Sequence, residues 1–295
     1  MEDLDFTERS PSEPPAPVVQ PAQSPIYDPM AAKEFFESAG STENIAAGKA
    51  FFKEHDKSGI FSSADRMYLL LEGSVALSAG GKAIDTVKSG EIFGELATIT
   101  DAKRSATATA KTACRAMSLD AGQFQKAIEK TPGFALMLMS IMIDRLRLQL
   151  ARLTMRKAIP ANIASDERRV FDDETLDRIT EELGNQRPLR FTAGQTIINA
   201  GESGVLMYVP REGRVAITVD GKTLEHVGPG GVFGEMALVD SAKRVANAVA
   251  ETDCALMAVN RKQFLELVQT NPAFGLSLLK VLGQRLQATT GSSAK

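Results

Sequence analysis

Two segments of the chain place a glycine, a glutamate and an arginine at one spacing. Gly90-Glu-Ile-Phe-Gly-Glu-Leu-Ala97 and Gly230-Gly-Val-Phe-Gly-Glu-Met-Ala237 share Phe-Gly-Glu-[Leu/Met]-Ala, and in both an arginine stands nine residues after the glutamate. The residues are Gly94, Glu95 and Arg104 in the first segment and Gly234, Glu235 and Arg244 in the second. Arginine offers a planar fork of donors that fits two phosphate oxygens. Glutamate is wrong for a phosphate but accepts hydrogen bonds from hydroxyls such as those of a sugar. Glycine lets a ligand approach the backbone, and free N–H groups at the start of a short helical turn favour an anion. An anion donor set beside a sugar acceptor describes a nucleotide site. A Walker-type Gly-Lys-Ser/Thr for a triphosphate and magnesium is absent, as is any nucleophile–base pair or metal cluster. The pattern therefore predicts binding without catalysis, with no catalytic residue, metal or cofactor. The competing reading of each Glu/Arg pair is a structural ion pair.

These segments belong to an internal repeat with an offset of 140. At that offset Lys103-Arg104 meets Lys243-Arg244, Cys114 meets Cys254, Gln123-Phe124 meets Gln263-Phe264, and Pro132 meets Pro272. Arg145-Leu146 meets Arg285-Leu286, and upstream Met67-Tyr68 meets Met207-Tyr208. The first copy carries about six extra residues around Glu54–Asp65, read as a longer surface loop.

Each copy reads as the same set of elements. Short alternating segments such as Tyr68–Leu77 and Val215–Val219 are split by the hairpin signals Gly80-Gly81-Lys82 and Asp220-Gly221-Lys222. A last strand, 115–119 or 255–259, leads into a helix with Phe124 and Ile128, or Phe264, Leu267 and Val268, on one face. Pro132 and Pro272 are expected to open longer helices over 133–156 and 273–288. Lead-in helices are expected over 31–39 and 173–183. Each copy is then a small β-barrel-like unit closed by C-terminal helices. The run Phe134–Ile143 is apolar nearly all round, which suits a helix buried between two partners, in a dimer or between the two copies of one chain. Cys114 and Cys254 read as small buried apolar residues, and His55 and His226 as surface-loop residues.

Composition narrows the remaining classes. Net charge is −3, so no basic excess points to nucleic acid. Two cysteines and two histidines exclude a disulfide scaffold and a histidine-rich metal site. The longest apolar run ends at Asp144, half of what a bilayer requires, and without a signal pattern the expected location is the cytoplasm. Residues 1–29 hold seven of the thirteen prolines and six acidic residues against Arg9 alone, a net −5 that leaves +2 for the rest. Such a tail is expected to be disordered. The resulting division is a Pro-rich acidic tail over 1–30, a first domain over 31–157, a linker over 158–172 and a second domain over 173–295.

Both copies resemble the cyclic-nucleotide-binding domain, over about 45–157 and 185–290, and the shared segment is similar to its phosphate-binding cassette. Residues 244–290 also resemble the sensor domain of the catabolite activator protein, through Thr252-Asp-Cys254, Asn271-Pro272 and Arg285-Leu-Gln-Ala-Thr-Thr290. The resemblance implies a mainly β fold with α-helices, two tandem jelly-roll-like barrels. It implies cAMP as ligand, with cGMP as the other candidate. Gly94, Glu95, Leu96, Ala97, Arg104 and Ser105 would form the first site. Gly234, Glu235, Met236, Ala237, Arg244 and Val245 would form the second, with Thr289 and Thr290 at the adenine positions; if the closing helices pack as a pseudo-dimer, the resemblance implies that Thr290 reaches the first pocket instead. The glutamates would hold the ribose hydroxyl and the arginines the cyclic phosphate. Val245 replaces Ser105, and Gln149-Leu150 replace Thr289-Thr290, so the second site is expected to separate cAMP from cGMP more sharply. Only 291–295 follow the closing helix, which predicts no DNA reader. Two sensors in tandem resemble the regulatory subunit of cAMP-dependent protein kinase, although residues 1–45 lack that family's basic pseudosubstrate. The expected function is a receptor that relays ligand binding to an effector protein not identified by the sequence, through a homodimer or an intramolecular pseudo-dimer of the closing helices. The alternative is a scaffold or dimerisation protein with empty or differently liganded pockets.

Overall fold

The computed structural model describes residues 26–57, 66–157, 159, 169–184 and 186–291, with the side chains of 290 and 291 excepted. The acidic stretch 1–25, most of the first copy's insertion and most of the linker lie outside the described residues, as does the side chain of Thr290.

The first repeat opens with α1 (Pro29–Ala39), which Asp28 caps by accepting from the amides of Met30 and Ala31. Eight strands follow: β1 (Ser41–Ile45), β2 (Ala50–Phe52), β3 (Arg66–Glu72), β4 (Ser74–Ala79), β5 (Lys82–Lys88), β6 (Ile92–Phe93), β7 (Thr107–Ala110) and β8 (Cys114–Asp120). The short helix α2 (Glu95–Thr100) interrupts them between β6 and β7. They form two antiparallel sheets, ordered β1-β8-β3-β6 and β2-β7-β4-β5, which close around Phe51, Phe52, Tyr68, Val75 and Phe93. Tyr68–Leu77, expected as one segment, is divided between β3 and β4 at Gly73, whose φ is +95°. Helices α3 (Ala121–Lys130) and α4 (Phe134–Met155) complete the unit.

The second repeat retraces this path. Helix α5 (Asp173–Glu182) leads into β9 (Leu189–Phe191), β10 (Thr196–Ile198), β11 (Leu206–Glu212), β12 (Val215–Val219), β13 (Lys222–Val227), α6 (Met236–Asp240), β14 (Asn247–Ala250) and β15 (Cys254–Asn260). Sheet orders are β9-β15-β11 and β10-β14-β12-β13. Registers match too: Met67 pairs with Leu119 as Met207 pairs with Val259, and both ladders shift register at the same place, Leu70/Glu72 and Pro210/Glu212. The unit ends in α7 (Arg261–Thr270) and α8 (Pro272–Gly291). The repeated Gln-Phe pair has two jobs. Gln123 and Gln263 complete capping boxes with Asp120 and Asn260, while Phe124 and Phe264 enter the core.

Three details differ from the sequence reading. Pro272 opens α8, but Pro132 lies two residues before α4, in a turn capped by Gly133. His226 sits in β13, half-buried, with Nδ1 2.8 Å from Oε2 of Glu251, the residue that follows β14. His55 is exposed, as expected. Residues 169–171, inside the stretch read as linker, lie against the second repeat: the amides of Val170 and Phe171 donate to Gly230 O, and Phe171 stacks on Phe274. Cys114 and Cys254 are buried at equivalent strand positions.

The repeats join through α4 and α8. Gln149 and Thr289, equivalent residues, meet at 2.5 Å, which places a pseudo-two-fold axis between the helices. Helix α4 buries Phe134, Met137, Leu138, Ile141 and Ile143 on more than one face, because core lies on one side and the other repeat on the opposite side. Its C-terminal half reaches further, packing Leu146, Leu150 and Leu153 with Val219 and Leu224 of the second barrel. No helix among the described residues is long and apolar enough to cross a membrane.

Candidate functional site

The glycines at the heart of both segments are required by backbone geometry. Gly94 and Gly234 have φ of +75° and +83°, the left-handed region. A Cβ on either would stand 2.9 Å from an Nη1 atom, of Arg104 or Arg244. The arginines therefore lie against this backbone. Arg104 donates from Nη1 to Gly94 O and from Nη2 to Arg66 O, each at 2.6 Å. Arg244 donates from Nη1 to Gly234 O at 2.6 Å and from Nη2 to Leu206 O.

Beyond that shared frame the two sites differ. Arg104 is only 2% exposed, and its guanidinium carbon sits 4.0 Å from the centroid of Phe52. Ile198 occupies the equivalent place beside Gly234, and Arg244 is half-buried at the edge of a cavity. Burial lowers the pKa of Arg244, with Tyr208 and Glu235 partly opposing it. Among the described residues no carboxylate forms an ion pair with Arg244. A desolvated cation held only by carbonyls is costly unless an anion joins it.

At the second site a cavity opens to solvent, with about 850 Å³ of empty space when its mouth is counted. Gly234, Glu235, Met236, Ala237, Arg244, Val245 and Thr289 all line it. Apolar walls come from Ile198, Ile217, Leu224 and Phe233, and three residues of α4 in the other repeat, Leu146, Arg147 and Leu150, close one side. Thr289 is buried, and its hydroxyl contacts Leu286 O at 2.8 Å and Gln149 Oε1. A base contact from Thr289 would exchange one of these bonds.

At the first site Glu95, Ala97 and Arg104 are buried, Leu96 is half-buried and Ser105 exposed. Helix α8 presses on α2 here. Gly283 permits the approach, since a Cβ there would meet Thr100 Cγ2 at 2.7 Å. Its equivalent in α4 is Ile143.

Both cassette glutamates are held by arginines of the closing helices. Arg145 Nη1 donates to Glu95 Oε1. Arg285 Nη1 donates to Glu235 Oε1 at 2.8 Å, its Nε to Glu225 Oε2 at 2.8 Å, and its Nη2 to Val232 O at 2.7 Å. Burial would lower the pKa of Arg285, but Glu225 and Glu235 outweigh it and hold the pKa above the ordinary guanidinium value. Arg145 and Arg285 repeat at the offset of 140, and that was their visible signal; their partners could not be read from it. Glu225 and Arg147 carried no sequence signal, whereas Leu146 stood out in the repeat and Leu150 as the residue opposite Thr290.

The fold and this geometry define a ligand-binding module with two non-identical cassettes. The family model for the cyclic nucleotide-binding domain matches residues 44–131 and 188–271, more than half of the chain, and the protein belongs to that family. The cAMP-dependent protein kinase regulatory subunit of Colletotrichum orbiculare is 30% identical over 204 residues, covering 64% of this chain and 43% of the relative. The cyclic AMP receptor protein of Thermus thermophilus is 34% identical over 102 residues, 33% of this chain and 47% of the relative. The chain thus spans less than half the length of either protein. Among solved structures, cAMP-bound PfPKA-R matches at 24% identity over 82% of this chain and 78% of that one, with a TM-score of 0.31. The Thermus thermophilus catabolite activator protein matches at 32% identity over 39% of this chain and 55% of that one, with a TM-score of 0.34.

Proposed function

We propose that this protein is a non-catalytic receptor for a cyclic nucleotide, cAMP before cGMP, which relays occupancy to an effector protein. The observation that carries this reading is Arg244. It lines an apolar cavity beside Glu235, holds its guanidinium against carbonyls alone, and forms no ion pair with a carboxylate among the described residues. A cyclic phosphate supplies the missing anion, and Glu235 accepts from a ribose hydroxyl. The apolar walls and Thr289 then receive the base. In this reading Gly94, Glu95, Leu96, Ala97, Arg104 and Ser105 form the first site, and Gly234, Glu235, Met236, Ala237, Arg244, Val245, Thr289 and Thr290 the second. Domains over 31–157 and 173–295 carry them. Relay follows because the closing helices touch both cassettes, and a ligand shifts such an arrangement by its differential affinity for the two states. The buried Arg104, stacked on Phe52, favours a second reading for the first site alone, a structural arginine in a filled barrel.

Calorimetric titration of the full chain with cAMP tests the proposal. Two nucleotides bound per chain support a receptor with two working sites. One supports the structural reading of the first cassette. Absence of binding by both cAMP and cGMP overturns the receptor reading.

A further inference from the structure

Arg147 belongs to α4, the closing helix of the first repeat, yet its partners lie in the second. Its Nε donates to Asp240 Oδ2 at 2.5 Å, its Nη2 to Asp240 Oδ1 at 3.1 Å, and its Nη1 to Lys243 O at 2.8 Å. Asp240 is the last residue of α6, and Lys243 directly precedes Arg244. Asp240 Oδ1 also accepts from the amide of Ala242 at 2.9 Å. Arg147 therefore grips both ends of the turn 240–243 that delivers Arg244 to the cavity, and it lines that cavity itself. The pair is well shielded, with side chains 18% and 8% exposed.

The pseudo-two-fold axis supplies an internal control. The equivalents of Arg147 and Asp240 are Gln287 and Thr100, joined by one neutral hydrogen bond of 2.9 Å. One crossing contact is thus charged and three-pronged, the other neutral and single. A fork of charge-assisted bonds fixes geometry as well as adding energy, which a lone amide–hydroxyl bond does far less.

We propose that Arg147 is a positioning residue for the second ligand site, through which the closing helix of the first repeat sets the second cassette and couples the two sites. The inference rests on the cyclic-nucleotide reading above. A ligand that moves α4 alters the hold on 240–243 and hence the placement of Arg244. By linkage, occupancy of the second site acts back on the first by the same factor.

The test uses the full chain. Arg104→Ala isolates the second site and Arg244→Ala the first; each is titrated with cAMP, with and without Arg147→Gln, the residue found at the equivalent position of α8. Arg147→Gln should weaken the second site by about tenfold or more and leave the first within about twofold. With both sites intact, it should bring the effect of one occupancy on the other toward none. The exchanged pair Arg147→Asp with Asp240→Arg should restore part of both. In the ligand-free chain, Arg147→Gln should speed amide exchange across 236–244 and not across 96–104. Equal weakening of both sites, or unchanged affinity and coupling while both sites still bind, overturns this inference alone. Unaltered exchange over 236–244 also overturns it. If the unaltered chain binds no cyclic nucleotide, the receptor reading fails and the coupling with it, while the exchange measurement still reports whether Arg147 holds the turn.

Discussion

Arg244→Lys separates charge from geometry at the second site. The guanidinium bridges Gly234 O and Leu206 O with two different nitrogens and keeps further donors for the cavity. One ammonium cannot bridge the two carbonyls and also meet a phosphate in the same way. At least one charge-assisted bond is lost, about 1.5–3 kcal/mol, or roughly 10- to 150-fold in affinity. Arg244→Ala removes the charge as well and should cost about 3–5 kcal/mol. The assay is thermal unfolding in the Arg104→Ala background, with cAMP at about 1,000 times the unaltered dissociation constant. That ligand stabilises the unaltered second site by about 4 kcal/mol, and a hundredfold weaker site by only about 1.4 kcal/mol. For a chain of this size the difference corresponds to a ligand-induced shift in Tm smaller by roughly 5–10 °C. For Arg244→Ala the ligand-free Tm should hardly move, because losing two hydrogen bonds is offset by removing a half-buried charge. Lysine binding within about threefold of arginine would refute the bidentate reasoning. Normal binding by Arg244→Ala would refute the site itself.

Two further substitutions probe the closing helices. Arg285→Ala leaves Glu225 and Glu235 facing each other without their shared cation and should destabilise the ligand-free protein by about 3–5 kcal/mol in denaturant unfolding. Arg145→Ala should cost less than Arg285→Ala, since Arg145 is 36% exposed and, among the described residues, pairs with the single carboxylate Glu95; equal losses would show that the two latches do not differ. Gly283→Ala sets helix propensity, worth about 1 kcal/mol in favour, against a 2.7 Å clash with Thr100 Cγ2. Thr100 is held by bonds to Leu96 O and Gln287, so overpacking at about 1–3 kcal/mol should prevail and lower the Tm; a raised Tm would mean that α8 retreats freely from α2.

Much of the architecture was legible because the same pattern is written twice. Gly80-Gly81 and Asp220-Gly221 marked their hairpins, and the apolar faces of Phe124 and Ile128, and of Phe264, Leu267 and Val268, marked α3 and α7. The apolar girth of 134–143 told of a helix with neighbours on both sides, and α8 is the neighbour. What stayed hidden depends on contacts between distant parts of the chain. Arg145 and Arg285 were visible as a repeated residue, but only the packing of α4 and α8 brings them to Glu95 and Glu235. Arg147 and Gln287 differ in type, so the offset hid their shared role. The contrast between Arg104 beneath Phe52 and Arg244 beside Ile198 comes from one aromatic-to-aliphatic change about fifty residues upstream of each arginine, and no local motif reports it.

The meeting of Gln149 with Thr289 has a consequence for behaviour in solution. A symmetric pair of sensors made from two separate chains comes apart on dilution, and its half-sites come apart with it. Here the partners share one backbone, so their encounter is unimolecular and its strength does not depend on how much protein is present. Half-saturation and the unfolding midpoint should hold constant as the protein is diluted. Fusion also frees the halves from identity. A substitution in one chain of a symmetric dimer is forced on both sites at once, whereas here Arg147 can face Asp240 on one side of the axis while Gln287 faces Thr100 on the other.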